Sequence, residues 1–341
     1  MGQTFQDFEL IVVDDGSTDD SLEILQSYAG KYPTMIRVLT HPERQNRGTS
    51  VTDNRALKEA RGKYWCSHDS DDVSYPDRFE RQVALMESRP EIGWIYGVAD
   101  FIDKAGKPLN IQYGHDLSAC PDLVENIILE SSIAPQMVRM ECMTAVGPFE
   151  PGLVRGEWEF WIRMAARFPA AFLPGPVGAH RRHDYNTSII FRENETPERI
   201  RQDYQNSIEV FSTLSRKADA AEGRLFRPRT RALFDLMLAS LHILMGDDAS
   251  ASRMAAAVFR SDPSLRADWV QLAGYLGGFK SVRLAAMMVR ELGFPPPWLA
   301  SATFMSALLR IVAYRAWHRF LPPRAPIQRS ATKSVVWNGK V

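Results

Sequence analysis

The stretch "ELIVVDDGSTDDS" at residues 9–21 runs an unbroken apolar segment, Leu10-Ile11-Val12-Val13, directly into the acids Asp14 and Asp15. An apolar run without polar alternation reads as a strand covered on both faces, and such strands belong to parallel sheets inside α/β domains. The paired carboxylates then stand at the strand's carboxyl end, the edge at which open α/β sheets bind ligands. Gly16-Ser17 makes the turn, while Asp19 and Asp20 charge the first turn of a helix running through Leu22, Leu25 and Tyr28.

Outward from this stretch, apolar segments alternate with helical ones up to about residue 100, the pattern of a mostly parallel sheet. Strands are expected at 8–13, 35–39, 63–67 and 92–98, and helices at 18–30, 49–61 and 76–88. Gly62 follows the second helix where a left-handed cap is wanted, and Pro76 sits in the first turn of the third. Residues 100–195 interleave Pro, Gly and aromatics, as suits loops on a rigid scaffold, and contain one clear helix at 157–168. From 199 to 295 the chain reads as amphipathic helices rich in Ala, Leu, Met and Arg, an all-helical second domain. Its segment 241–263, helix, Gly-Asp turn, helix and Pro stop, is loosely like one tetratricopeptide unit. Residues 296–341 read as a basic amphipathic helix followed by a disordered tail.

Lys plus Arg equals Asp plus Glu, 41 against 41, over 341 residues, so the chain as a whole presents no field that would draw nucleic acid. The charge is nevertheless uneven. Glu291 is the last acid, and Arg310, Arg315, Arg319, Arg324, Arg329, Lys333 and Lys340 follow it. Residues 298–320 therefore carry the expectation of peripheral contact with an anionic membrane surface, with packing on the preceding helices as the alternative. The three cysteines, Cys66, Cys120 and Cys142, lack metal-ligand spacing, and neither a leader nor a membrane-spanning run is visible. The expected location is cytoplasmic, peripheral at most to the inner face of a membrane.

A second apolar strand, Tyr64-Trp65-Cys66, also runs into carboxylates, in "HDSDD" at residues 68–72. Asp69, Asp71 and Asp72 on one loop offer the hard oxygen ligands that Mg²⁺ or Mn²⁺ uses when it also holds a diphosphate. Two acid-tipped strands at one sheet edge repel each other unless a cation or a donor-rich ligand joins them. Neither cluster has the ligand ladder and distal Glu of a calcium-binding EF-hand loop.

Four segments in order, "FQDFELIVVDDGSTDDSLEIL", "NRGTSVTDNRALKEARGKYW", "HDSDDVSYPDRFERQVALM" and "VGPFEPGLVRGEWEFWIRMA", resemble the successive motifs of family 2 nucleotide-sugar glycosyltransferases of GT-A fold. The similarity covers residues 3–190. It implies a GT-A catalytic domain over 1–195, an α/β fold with a Rossmann-like, mostly parallel sheet. By the same resemblance Asp15 reads the nucleotide base with Asp14 in support, and Asp69 and Asp71 form the DxD pair. Asp71 is then the direct metal ligand and Asp69 lies nearer the ribose. Asn46, Gly48 and Asn54 match the cofactor-binding segment between the acidic strands, with Asp53 standing where the family more often has Arg.

The resemblance places a general base at Glu157, with Glu159 as the fallback; the bland reading of either is a charge on the helix's first turn. "GAHRRHDYNTS" at 178–188 resembles the family's late loop, which implies a metal or phosphate contact for His183 and charge balance on the leaving group from Arg181 or Arg182. Trp158 and Trp161 are candidates for stacking on an acceptor sugar, with core packing as the alternative. Family members place a strand and helix ahead of "QTFQDFEL", and the chain is expected to be short of that central strand. The implied activity is inverting, metal-dependent transfer from a nucleoside diphosphate sugar, UDP-linked by expectation, to a glycan or lipid-linked saccharide hydroxyl. An inert truncated transferase serving as a binding protein, and a hydrolase using water as acceptor, are the rival readings. The absence of a Gln-x-x-Arg-Trp motif argues against polymerising activity.

Overall fold

In a computed structural model of the protein, the described residues are 1–118, 122–130, 135–184, 186, 196–219, 226–262 and 265. The elements in order are β1 (Leu10–Asp14), α1 (Ser21–Lys31), β2 (Ile36–Thr40), α2 (Thr49–Glu59), β3 (Tyr64–Trp65), β4 (Val73–Ser74), α3 (Arg78–Ser88), β5 (Trp94–Ile102) and β6 (Pro108–Tyr113). There follow α4 (Leu123–Glu130), β7 (Met137–Arg139), α5 (Met140–Val146), α6 (Gly156–Arg167), β8 (Ala170–Arg181), α7 (Pro197–Asp219), α8 (Pro228–Met245) and α9 (Asp248–Ser261).

The α/β alternation expected from the apolar runs is present, and the expected elements lie within a few residues of the observed ones. β1 and β2 pair in parallel, Leu10 opposite Ile36 through Asp14 opposite Thr40, as a two-stranded sheet. The second sheet has six strands in the order β3-β7-β5-β8-β4, with β6 beside β5. Within it only β5 and β8 run parallel; β3–β7, β5–β7, β5–β6 and β4–β8 are antiparallel. The sheet is therefore more mixed than the strand–helix alternation suggests. The antiparallel partners come from residues 100–181, where a period-2 pattern is broken by turns. In β8 itself, Pro174-Gly175-Pro176 shifts the register against β5, with Gly175 at φ +77°.

β1 is also less enclosed than its composition suggests. Leu10 is 36% exposed and Ile11 to Val13 are half-buried, because among the described residues β2 is the strand's one pairing partner. Asp14, in contrast, is buried.

The main hydrophobic core is continuous from the sheet into the helices. Trp94 and Val138 of the sheet, Trp158, Phe160 and Trp161 of α6, Phe211 of α7, Phe234 of α8 and Phe259 of α9 belong to one buried cluster. The change of sequence character near residue 197 thus marks the start of α7 rather than the end of a core. α8 ends on Gly246 at φ +88°, which returns its N–H to Ile243, and the Asp247 side chain caps α9 by accepting from the Ser250 N–H. This is the helix, Gly-Asp turn and helix read in 241–263. Among the described residues no helix is long and apolar enough to cross a membrane. The basic segment 296–341 lies outside the described residues.

Phe211 is fully buried where α7 meets α6 and α8. Phe211→Ala should cost about 3–5 kcal/mol and lower the melting temperature of the whole chain in a single transition. Calorimetry showing an unchanged main transition with a separate early one would contradict the shared core.

Candidate active site

The carboxyl end of β1 is built by backbone constraints before any ligand enters. Gly16 turns the chain at φ +83°, and a Cβ there would meet the Arg44 carbonyl oxygen at 2.6 Å and the Asn46 nitrogen at 2.9 Å. Arg44 donates to the Ser17 carbonyl at 2.9 Å, so the loop ahead of α2 lies closely over the β1 turn. Asp15 accepts from the backbone N–H groups of Arg47 at 2.6 Å and Gly48 at 2.9 Å, one with each oxygen, and its Oδ1 lies 3.4 Å from His41 Nε2. Asp14 is 3% exposed; its Oδ1 accepts from Ser17 N–H at 3.3 Å. Its Oδ2 lies 4.0 Å from Arg44 Nη2 and has no hydrogen-bond partner among the described residues. A buried carboxylate oxygen left in that condition is an acceptor held ready for a donor.

α2 carries a stripe at helical spacing, Ser50, Asp53, Asn54 and Leu57, toward the segment that leads into α6. Asn54 bridges the Phe149 backbone in both directions, donating to its carbonyl at 2.8 Å and accepting from its N–H at 2.9 Å. Ser50 donates to the Leu153 carbonyl at 3.1 Å, and a Cβ on Gly156 would lie 2.1 Å from the Ser50 oxygen. Gly156 therefore lets α6 begin against α2. Asn54, expected from the resemblance to contact nucleotide, has its amide committed to this latch. Gly48 starts α2 and donates to Asp15, while the Asn46 side chain is exposed.

The second cluster lies on the loop between β3 and β4. Ligand oxygens of Asp69, Asp71 and Asp72 all fall within 4.8 Å of one another. Asp71 accepts from Asn186 Nδ2 at 3.2 Å and pairs with His183 Nε2 at 2.8 Å, and its carbonyl accepts from Arg181 Nε at 2.8 Å. Asp72 pairs with His180 Nδ1 and accepts from the Arg181 N–H at 2.9 Å. Burial pushes the Asp72 pKa up, but these hydrogen bonds outweigh it and hold the carboxyl below its ordinary range. Among the described residues Asp69 has no such hydrogen-bond partners: burial first, then the charges of Asp72 and Asp71, raise its pKa. Arg182 lies with its guanidinium carbon 5.7 Å from the Phe101 ring centroid.

Facing this cluster is the start of α6. Glu157 is solvent-accessible, but surrounding protein displaces enough water to raise its pKa. Arg155 and its own N–H counter that rise, and Asp69 and Asp203 add to it. Asp53 is pushed up to about 7, by burial first and then by the charges of Asp69 and Glu157. Asp53, Asp69 and Glu157 are thus close enough for their charges to act on one another. Glu159 is not among these groups. It is 0% exposed, clamped by Arg163 at 2.7 and 2.9 Å and by Lys217 at 2.9 Å, so the fallback base is a buried ion pair facing the protein interior. Trp158 and Trp161 are likewise core residues, the first donating to the Ile127 carbonyl and the second stacked on Trp94.

The sequence points to the acids and to His183; it does not single out His180, Asn186, Arg155 or Asp203. His180 and Asn186 lie in the late loop motif, where only pairing across more than 100 residues with Asp72 and Asp71 distinguishes them.

Residues 1–138 match the sequence profile of Glycosyl transferase family 2. These residues are thus similar to a family 2 glycosyltransferase domain. An uncharacterized glycosyltransferase of Escherichia coli, YibD, is 44% identical over 83 residues, which are 24% of this chain and 23% of that protein. An uncharacterized glycosyltransferase of Methanocaldococcus jannaschii, MJ1057, is 28% identical over 167 residues, 48% of this chain and 56% of its relative. The matched segments span about a quarter of the first relative's length and just over half of the second's. The solved structure of S. aureus TarS 1–349 in complex with UDP is 18% identical, with a TM-score of 0.47 over 92% of this chain and 84% of that one.

An acid whose folded pKa lies above its unfolded value binds more protons when folded, so it lowers stability as pH rises between the two values. For Asp53 that window runs from 3.8 to about 7. In EDTA, Asp53→Asn should raise the melting temperature at pH 8, and the gain should vanish as the pH approaches 4. A gain independent of pH would show that the folded protein does not raise the Asp53 pKa.

Proposed function

We propose that this chain is a metal-dependent inverting glycosyltransferase that moves a sugar from a nucleoside diphosphate, UDP by expectation, to a hydroxyl of a glycan or lipid-linked saccharide. The observation that carries the reading is the clustering of Asp69, Asp71 and Asp72 on one loop, with Asp53 and Glu157 near enough to Asp69 to be affected by its charge. The oxygens of Asp69, Asp71 and Asp72 lie within one ion's reach, and the acids without a basic partner have raised pKa values. Charges gathered in this way favour a divalent cation and, through it, an anionic leaving group.

An all-carboxylate set suits Mg²⁺ or Mn²⁺, with Asp71 and Asp69 as ligands and His183 joining them or fixing Asp71 from behind. Such an ion supplies Lewis-acid stabilisation of the departing diphosphate. Asp14, with its unpaired oxygen, and Asp15, which shapes the Arg47–Gly48 turn, are assigned to the nucleotide base. Asn46 and Gly48 border the same end. Arg182 stands near the late loop as a counter-charge to the diphosphate. Glu157 takes the proton from the acceptor hydroxyl: it is accessible, and a raised pKa makes its carboxylate a better proton acceptor. Inversion follows if the hydroxyl attacks from the face opposite the diphosphate. The basic segment beyond Glu291 is assigned to peripheral membrane contact, where a lipid-linked acceptor would lie.

Asp71→Asn should lower sugar transfer by at least ~100-fold while leaving the melting temperature within a few degrees, as read by release of the nucleoside diphosphate. Full activity in that variant would remove the metal assignment. Binding to anionic vesicles should fall with added salt and disappear when Arg310, Arg315 and Arg319 are all replaced by Gln; binding that ignores both changes would remove the membrane assignment.

A further inference from the structure

We infer that helix α7 is part of the reaction machinery: through the Asp203–Arg155 pair it fixes the position and charge environment of Glu157. Arg155 and Asp203 are then positioning residues. The inference rests on Glu157 being the base, and it gives the first of the helices after the sheet a task in the chemistry.

α7 grips the first turn of α6 on both sides of Glu157. Arg155, the residue before α6, lies with Nη1 3.5 Å from Asp203 Oδ2 and 3.2 Å from Ser207 Oγ, and its guanidinium carbon is 4.7 Å from the Trp158 ring centroid. The Ser207 hydroxyl donates to the Asp203 carbonyl at 2.9 Å, which leaves its oxygen to accept from Arg155. Trp158 meets Phe211 of α7 edge to face at 4.9 Å. Further along, Lys217 of α7 ties Glu150 at 2.7 Å and Glu159 at 2.9 Å. Residues 150, 155, 158 and 159 are therefore all held by α7, and Glu157 stands among them with its own side chain toward solvent.

Asp203 is 5% exposed and the Arg155 side chain is largely covered. Joining two helices needs no enclosed ion pair, and an apolar contact of similar volume would serve as well or better. What the ion pair adds is charge beside Glu157. Among the described residues, the charged groups that act on Glu157 include Asp53 from α2, Asp69 from the β3–β4 loop, Arg155 ahead of α6 and Asp203 from α7. Arg155 favours the Glu157 carboxylate; Asp203 opposes it and holds Arg155 in place. The two substitutions therefore push in opposite directions, which a purely packing contact would not do.

The test is the ¹³C NMR titration of the Glu157 side-chain carboxyl in the full chain in EDTA, its signal assigned by its loss in Glu157→Gln. Asp203→Asn should lower the Glu157 pKa and Arg155→Gln should raise it, each by about one pH unit. Arg155→Lys should restore most of the native value, and the double variant should fall between the singles. Should Arg155→Gln fail to fold, Asp203→Asn and the double variant still carry the comparison. An unmoved titration, or shifts in the same direction, overturns the inference. The reading of Glu157 as base fails separately, if Glu157→Gln keeps full transfer activity.

Discussion

Asp69, Asp71 and Asp72 are acids gathered on one loop, with Asp53 and Glu157 near enough to Asp69 for its charge to act on them. Left to themselves they would separate or take up protons. Side-chain contacts oppose the first outcome: Asn54 to Phe149 and Ser50 to Leu153 join α2 to the segment ahead of α6, and Asp72 and Asp71 are tied to His180, the Arg181 N–H, His183 and Asn186. The raised pKa values of Asp53, Asp69 and Glu157 reflect burial first and the charges of neighbouring acids second. A binding site for a cation and an anionic leaving group is the ordinary way such a gathering of acids is offset, because the ion converts mutual repulsion into shared attraction.

The acids differ in how the protein treats them, and the difference follows from their partners. Asp72 is saturated by His180 and the Arg181 N–H, so it ties the β3–β4 loop to β8. Asp71 is braced by His183 and Asn186 while remaining partly exposed. Asp69 and Glu157 reach solvent and, among the described residues, have no basic partner in hydrogen-bond contact. Two residues apart on α6, Glu157 and Glu159 are chemically alike but lie on opposite sides of the helix. One opens to the cleft; the other is buried against Arg163 and Lys217.

Much of this was legible in the chain. The Leu10–Val13 run, the acids that end it and the second acidic loop fix the α/β alternation and the sheet edge that carries the carboxylates, because apolar runs and their terminators are local signals. The antiparallel strands β6 and β7 and the irregular β8 were not legible, since their pairing is decided by contacts far along the chain. The same limit applies inside the site. Glu157 and Glu159 look equivalent in "GEWEFW" until the helix faces are known, and Trp158 looks like a sugar platform until Phe211 is seen to cover it. Asn54 reads as a ligand contact but serves the α2–α6 latch, and Asp203 gives no local sign that it approaches Arg155.

The central claim is that the acidic cleft holds a divalent ion together with a nucleoside diphosphate. Calorimetric titration of UDP and of GDP into the chain, with and without Mn²⁺, tests it directly. Metal-dependent binding of one nucleotide, abolished by Asp71→Asn, is the predicted result. Equal binding in the presence of Mn²⁺ and of EDTA, or Mn²⁺-dependent binding that survives Asp71→Asn undiminished, would contradict it.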